Sequence, residues 1–436
     1  MRRLLAVPPA VLLAVAVLAP AATAHHPGSN HGLALFDPLD ADMLVHRLPD
    51  VQQDFAEWEA QWPGYVSRFV MGSTSSGFPL EAIVVTDESV AFDQAGLNTG
   101  HKLRVYLDGG HHGNEFLGVE LVMYYLEDLL AKAEAGDKGT LALLRTTEIY
   151  AVPIINVDGN FLDTRKNGRL VDPNRNYDYQ WGGPGSGDSI VELTYRGPSP
   201  ASEAEVRANQ DFATKIRPDL WITMHTGVAE FYWPWGWTSD PAPDQAFFES
   251  LEEPFEAATN GRVDAMQAAE LYLAAGATDD WGYAILGVPT HTYEVHEDQD
   301  IPVYGQTIPV AISDQLAGLD FMVQNVKHMG AWLEWRIDGG DIVIRNDGWN
   351  VARGARLSGE LLPDIPRDGE LRLPAPTQDT ALHYPQMLIE TSKVRTVPVV
   401  IDASSSTPQA EMPGMAAPLA LLALVALALA GMGGRR

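Results

Sequence analysis

The 436-residue chain contains no cysteine. Disulfides, thiolate metal sites and cysteine nucleophiles are therefore excluded, and any metal must be held by histidine, aspartate or glutamate. Positive charge is scarce. Twenty-nine lysines and arginines face 58 acids, for a formal charge of −29, and only seven of the 29 are lysine. Such a chain lacks the basic footprint that nucleic-acid binding requires. An acidic, lysine-poor surface stays hydrated where salt screens its self-repulsion, which fits a saline setting. Repeats of the solenoid or propeller kind are also missing.

Long apolar runs occur at the two ends. Arg2 and Arg3, the apolar stretch Val11 to Leu18 and the small residues Ala22-Thr23-Ala24 have the form of a secretory signal over residues 1–24. The mature chain then starts at His25, outside the cytoplasm. No charge lies between Met415 and Gly434, and Arg435-Arg436 follow. A segment of that length suffices to cross a membrane. Behind the linker 403–412, residues 413–436 read as a membrane anchor or as a sorting signal that is cut, and both readings stand. Removing both ends deletes four arginines and no acid, taking the charge from −29 to −33. The expectation is an exported protein, extracellular or at the cell surface, meeting the membrane through its C-terminal segment. Oligomeric state is left open.

Between the ends, strand-like and helix-like patterns alternate, which indicates an α/β domain. Leu103 to Leu107 reads as a strand entering the turn Gly109-Gly110. Val119, Val122, Leu126 and Leu129 mark an amphipathic helix ending near Gly136. Glu148 to Ile155, Leu220 to Met224 and Thr290 to Val295 read as further strands. Each runs into dense polar residues, as the carboxyl ends of strands do at the active site of an open α/β sheet. After Trp335 the pattern changes to short β-like runs at Ile342 to Ile344, Leu371 to Leu373 and Thr396 to Val400. The expected organisation is an N-terminal extension 25–45, a main domain 46–336 and a small β-sandwich-like domain 337–402.

Of twelve histidines, most have no recognisable partner, among them His46, His101, His328 and His383. His112 and Glu115 differ: they sit three apart at a strand–helix junction, close enough to chelate one ion. A catalytic zinc takes three protein ligands and keeps one position open, so a third ligand must come from elsewhere. His225 ends a strand and precedes the turn Thr226-Gly227, which would expose its ring.

These residues and several ordered motifs resemble the zinc metallocarboxypeptidase family, which includes carboxypeptidases A, B, N and E. His112-Gly113-Asn114-Glu115 has the form of the N/E branch, and His225 matches the third ligand. Asn156-Val157-Asp158-Gly159 is similar to the family's Asn-Pro-Asp-Gly turn, with Val157 as a departure. Arg165 lies nine residues before Asn174, and Asp172 to Tyr177 resembles the family's Asp-x-Asn-Arg-Asn-aromatic run. Trp281 precedes Glu294 by thirteen residues and Tyr272 precedes Trp281 by nine, as in the A/B branch. The resemblance spans about Trp58 to Trp335.

The resemblance implies a mixed, mostly parallel twisted sheet flanked by helices, followed by the small all-β domain. It implies one zinc ion on His112, Glu115 and His225, with Asp172 orienting a zinc histidine. Glu294 becomes the general base and Arg165 the stabiliser of the developing oxyanion, while Asn174, Arg175 and Tyr272 receive the terminal carboxylate of a peptide or protein substrate. Asp279, two residues before Trp281, stands where B-type enzymes carry the Asp that pairs with a terminal Lys or Arg. A zinc amidohydrolase, either a deacylase or a cell-wall peptide amidase, is an alternative reading. A membrane-tethered binding module with an inactive site is another.

Overall fold

The computed structural model describes residues 45–91, 101–296 and 308–401. The core is an eight-stranded sheet built from β1 (Val66–Ser73), β2 (Pro79–Val85), β3 (Leu103–Gly109), β4 (Thr147–Val152), β5 (Leu220–His225), β6 (Ala229–Trp233), β7 (Asp264–Gln267) and β8 (Thr290–Val295). Their spatial order is β1-β2-β4-β3-β5-β8-β6-β7. The pairs β4/β3, β3/β5, β5/β8 and β6/β7 are parallel, and β1/β2, β2/β4 and β8/β6 are antiparallel. Every residue of β5 is buried, as expected for a central parallel strand covered by helices on both faces.

The four strands read from apolar runs are present, three of them with ends shifted by one to three residues. The helix seen in the Val119 to Leu129 spacing runs Phe116–Glu134. Its Gly118 packs so tightly on the end of β5 that a Cβ there would lie 2.8 Å from the Met224 carbonyl oxygen. The metal-ligand turn before it is equally tight. A Cβ on Gly113 would fall 1.9 Å from the Gly159 backbone, so no larger residue fits.

The C-terminal β region consists of β9 (Leu333–Asp338), β10 (Asp341–Asn346), β11 (Arg356–Leu357), β12 (Glu360–Leu361), β13 (Glu370–Pro374), β14 (Thr380–Pro385) and β15 (Val394–Val399). They form a three-stranded sheet, β13-β10-β9, and a four-stranded sheet, β12-β11-β14-β15. β9 begins before residue 337, so it straddles the boundary drawn from composition. The region is anchored at the amino ends of the central strands. Asp219, just before β5, accepts Lys393 Nζ and Arg395 Nη2, both at 2.9 Å. Buried Asp244 accepts Asn350 Nδ2 at 2.5 Å, Leu388 N at 2.7 Å and the Tyr283 hydroxyl at 2.6 Å. The β region thus holds the end of the sheet opposite the pocket described below.

No helix among the described residues is long and apolar enough to cross a membrane. The expected signal (1–24), most of the N-terminal extension, and the linker and apolar C-terminal segment (403–436) lie outside the described residues.

Candidate active site

Three elements deliver the metal-binding side chains to one point. β3 ends in Gly109-Gly110, where Gly110 takes φ +61°, and the chain turns to present His112. Glu115 sits at the N-terminus of the helix Phe116–Glu134. His225 is the last residue of β5. His112 Nδ1 and His225 Nδ1 face each other at 3.2 Å, and Glu115 contributes Oε1 at 2.6 Å to the first and Oε2 at 2.8 Å to the second. All three residues are buried, and their ligand atoms lie within 4.8 Å of one another.

The donor set fits zinc. Two imidazole nitrogens and a carboxylate are ligands zinc accepts, and a desolvated cluster of this kind is strongly destabilised unless a cation shares it. His112 turns its other nitrogen, Nε2, to Asp172 Oδ1 at 3.0 Å. A proton on Nε2 shared with that carboxylate leaves the Nδ1 lone pair free for a metal.

Asp172 is the hub. Besides His112 it accepts the Asn174 backbone N–H at 3.0 Å on Oδ1 and Arg165 Nε and Nη2 at 3.0 and 2.8 Å on Oδ2. Burial alone would raise its pKa, but Arg165 and His112 hold it well below the ordinary carboxylate range. Arg165 extends Nη1 to His112 Nδ1 at 3.1 Å and to Glu115 at 3.4 Å, so its charge borders the metal cluster. The turn after β4 explains that placement. Asn156 Nδ2 donates to the carbonyls of His111 at 3.2 Å and Arg165 at 3.1 Å, tying the two backbones together.

Arg175 lies beside the cluster, 2% exposed. Its Nε donates to Gly185 O at 3.1 Å and its Nη1 to Asn174 O at 2.7 Å. Among the described residues no carboxylate lies within ion-pair distance of it. Tyr272, half-exposed, has its ring 5.8 Å from that guanidinium. Asn174 is held by Thr278, whose N–H and hydroxyl donate to Oδ1 at 2.9 and 3.0 Å. Its Nδ2 is left facing His225 Nε2 at 3.4 Å.

One cavity joins these groups. Its walls include His112, Asn174, Arg175, His225, Tyr232, Tyr272, Asp279, Thr292 and Glu294, with Gly236, Ala268, Leu271, Ala274 and Ala277 as the smaller or apolar surface. Glu294 is opposite His225 in the β5/β8 register. Its Oε2 is buried without a hydrogen-bond partner. Burial, then repulsion from Glu115, pushes its carboxyl up to about 8. Asp279 is buried at the start of the helix Thr278–Leu286 and has no cation within ion-pair distance among the described residues. Its pKa is raised, by burial first, although the Thr292 hydroxyl and a backbone N–H favour the carboxylate.

All ten residues singled out in the sequence therefore meet at the carboxyl ends of β3, β5 and β8. Tyr232, Thr292, Thr278 and Asn156 went unread as site residues. Asn156 carried a signal, as the first member of the motif at 156–159, and Thr292 stands two residues before Glu294. The unpartnered reading of His46 is corrected: its ring lies 2.8 Å from Glu120 and 3.0 Å from Asp54. Those partners are 74 and 8 residues away in the chain.

Known proteins are similar to this chain in sequence and in fold. The zinc carboxypeptidase family model matches residues 51–315. Carboxypeptidase A1 of Mus musculus is 28% identical over 311 residues, covering 65% of this chain and 70% of that protein. Carboxypeptidase B of Astacus astacus is 30% identical over 236 residues, covering 47% of this chain and 73% of the relative. Among solved structures, bovine thrombin-activatable fibrinolysis inhibitor in complex with tick carboxypeptidase inhibitor has a TM-score of 0.56 at 23% identity, covering 65% of this chain and 97% of that one. The chain belongs to the zinc carboxypeptidase family, and its metal is zinc.

Proposed function

We propose that this protein is a zinc-dependent exopeptidase that hydrolyses the C-terminal peptide bond of peptides and proteins, with a preference for terminal lysine or arginine. The observation that carries the reading is Arg175, a buried guanidinium beside the metal cluster with backbone partners and, among the described residues, no carboxylate within ion-pair distance. A buried charge with no directly paired counter-ion is destabilising, and a substrate carboxylate relieves it with bidentate hydrogen bonds. An internal peptide bond offers no such anion, which is why an exopeptidase fits better than an endopeptidase.

His112, Glu115 and His225 would hold the zinc, which would supply Lewis acidity toward the scissile carbonyl and water. Arg175, with Asn174 and Tyr272, holds the terminal carboxylate. Arg165 sits where negative charge develops on the carbonyl oxygen, so its stabilisation grows toward the transition state. Glu294, ionised once the charge of Glu115 that raises its pKa is shared with the metal, would take the proton of the attacking water and pass it to the departing amine. Asp172 keeps the His112 ring and the Arg165 guanidinium in register. Asp279, buried with no cation within ion-pair distance among the described residues, gives the pocket a carboxyl group to pair with a basic terminal side chain. Export is inferred from the signal-like residues 1–24.

The test is release of free terminal residues from a matched peptide panel, with zinc, after chelation, and for Glu294→Gln and Asp279→Ala. Zinc-dependent release is expected, fastest for Lys and Arg ends and abolished in Glu294→Gln. In Asp279→Ala the preference for basic over apolar ends falls by about a hundredfold, the order expected for loss of a desolvated charge partner. Equal preference in the parent and Asp279→Ala would discard the pocket assignment. Absence of release from every free C-terminus would return attention to amidase chemistry.

A further inference from the structure

Away from the pocket, two acids with no part in its chemistry grip the turn that joins Arg165 to Asp172. Asn167, two residues after Arg165, is 3% exposed, and all of its polar groups are engaged. Its N–H donates to Val171 O and its carbonyl accepts Leu170 N, both at 2.9 Å. Its Oδ1 accepts Arg169 N at 3.0 Å and Val171 N at 2.9 Å. Its Nδ2 directs one proton to Glu203 Oε2 at 2.7 Å and the other to Glu205 Oε1 at 2.5 Å.

Those carboxylates are destabilising where they stand. Both are fully buried at the start of the helix Ala204–Ile216. Among the described residues their one ion pair is Arg169 Nε to Glu203 Oε2 at 3.8 Å, from a half-exposed side chain. Glu205 Oε2 is buried without a hydrogen-bond partner. Burial raises the Glu205 pKa against the Asn167 hydrogen bond, and the charges of Glu203 and Asp158 add to the rise. Two buried acids side by side oppose folding, so their use is to be sought in what they hold.

What they hold is a turn with little order of its own. Both of its internal backbone hydrogen bonds involve Asn167, and Leu170 within it takes φ +62°, which side chains rarely adopt. From its ends come Asp172 and Arg165, the groups that orient His112 and border the metal cluster. An arginine side chain has many rotamers to lose. The Arg165 guanidinium keeps its place on Asp172 only while both ends of the turn keep theirs. We propose that Asn167, gripped by Glu203 and Glu205, is a positioning residue for the hydrolysis: it fixes the turn that sets Arg165 on Asp172 beside the metal cluster. The role rests on the exopeptidase reading, in which Arg165 stabilises the developing oxyanion. Asn167 touches no reacting atom and acts through Arg165.

The experiment measures kcat and KM on one free-acid peptide with zinc-loaded parent, Asn167→Ala, Glu205→Gln, Glu205→Leu, Arg165→Lys and the double variant Arg165→Lys/Glu205→Leu. Glu205 is the acid to vary because Glu203 also accepts Ser202 Oγ at 2.7 Å and donates its N–H to Asn176 Oδ1 at 3.0 Å, next to Arg175. Asn167→Ala and Glu205→Leu are expected to lower kcat by about tenfold to a hundredfold, the scale of a small misplacement of a catalytic charge. Their KM stays within about twofold, since Arg175 lies outside the turn and the lost interaction belongs to the transition state. Glu205→Gln keeps an oxygen for the Asn167 proton and retains kcat within about twofold. On top of Arg165→Lys, Glu205→Leu costs less than about twofold more, because residues that act through one another are not additive. Should Asn167→Ala fail to fold, the Glu205 variants still decide. An unchanged kcat in folded Glu205→Leu overturns the proposal. So does a fall in Glu205→Gln as deep as in Glu205→Leu, or the full loss repeated in the Arg165→Lys background, which marks a role in the fold alone. A parent that releases no residue from any free C-terminus sinks the exopeptidase reading, and this role falls with it.

Discussion

His46 is gripped by two acids, with Glu120 2.8 Å from Nδ1 and Asp54 3.0 Å from Nε2. Burial alone would lower its pKa, but the charge of Glu120 and hydrogen bonds to both carboxylates outweigh that and raise it from 6.5 to about 10. The imidazolium therefore stabilises the fold in full below pH 6.5, and that contribution fades as pH rises through about 10. His46→Gln is expected to lose about 3 kcal/mol at neutral pH, the order seen when one partner of a buried charged cluster is removed. Chemical denaturation of parent and variant across pH 6 to 10 checks this, and the gap between them should narrow toward the alkaline end. A constant gap would mean the ring acts through packing alone. The same residue shows what a sequence conceals. His112 and Glu115 were legible because three-residue spacing at a helix start is local chemistry. His46 was not, because Glu120 lies 74 positions away and reaches it only in the folded chain. Arg175 was legible as a motif member, yet the absence of a directly paired carboxylate among the described residues is a property of the folded surroundings.

At the scale of elements, strands buried on both faces announced themselves as continuous apolar runs, and the helix Phe116–Glu134 by its repeat. β1, β2, β6 and β7 did not, since strands toward the sheet edges mix exposed and buried positions. The attachment of the C-terminal β region was equally hidden. It depends on Asp219, which meets Lys393 and Arg395 from a point more than 170 positions earlier in the chain. Burial would raise the Asp219 pKa, but those two cations outweigh it and bring it from 3.8 down to about 2. Its contribution is present above pH 3.8 and is lost as pH falls toward 2. Asp219→Asn is expected to destabilise the protein by about 3 kcal/mol at neutral pH. The activity per folded molecule should be unchanged, because this clamp holds the sheet end away from the pocket. Urea denaturation at neutral and acid pH, alongside kcat/KM, separates the two effects; a fall in kcat/KM in fully folded variant would link the β region to catalysis.

For the whole molecule, the charge of −29 is the dominant long-range feature. Raising salt from about 0.1 M to about 1 M shortens the screening length from ~10 Å to ~3 Å, which relieves repulsion among surface acids. Thermal denaturation in that series is expected to show Tm climbing with sodium chloride by several degrees, and a Tm that stays flat or falls would show that the acid excess carries no stability penalty. The central claim concerns what Arg175 waits for. It is tested most directly by giving the zinc-loaded protein one peptide in two forms, with a free terminal carboxylate and with a terminal amide. Hydrolysis of the free acid, with the amide slower by about a hundredfold or more for want of a charge-assisted pair, is the expected result. Equal hydrolysis of both forms would contradict it and remove the terminal carboxylate from the account of this site.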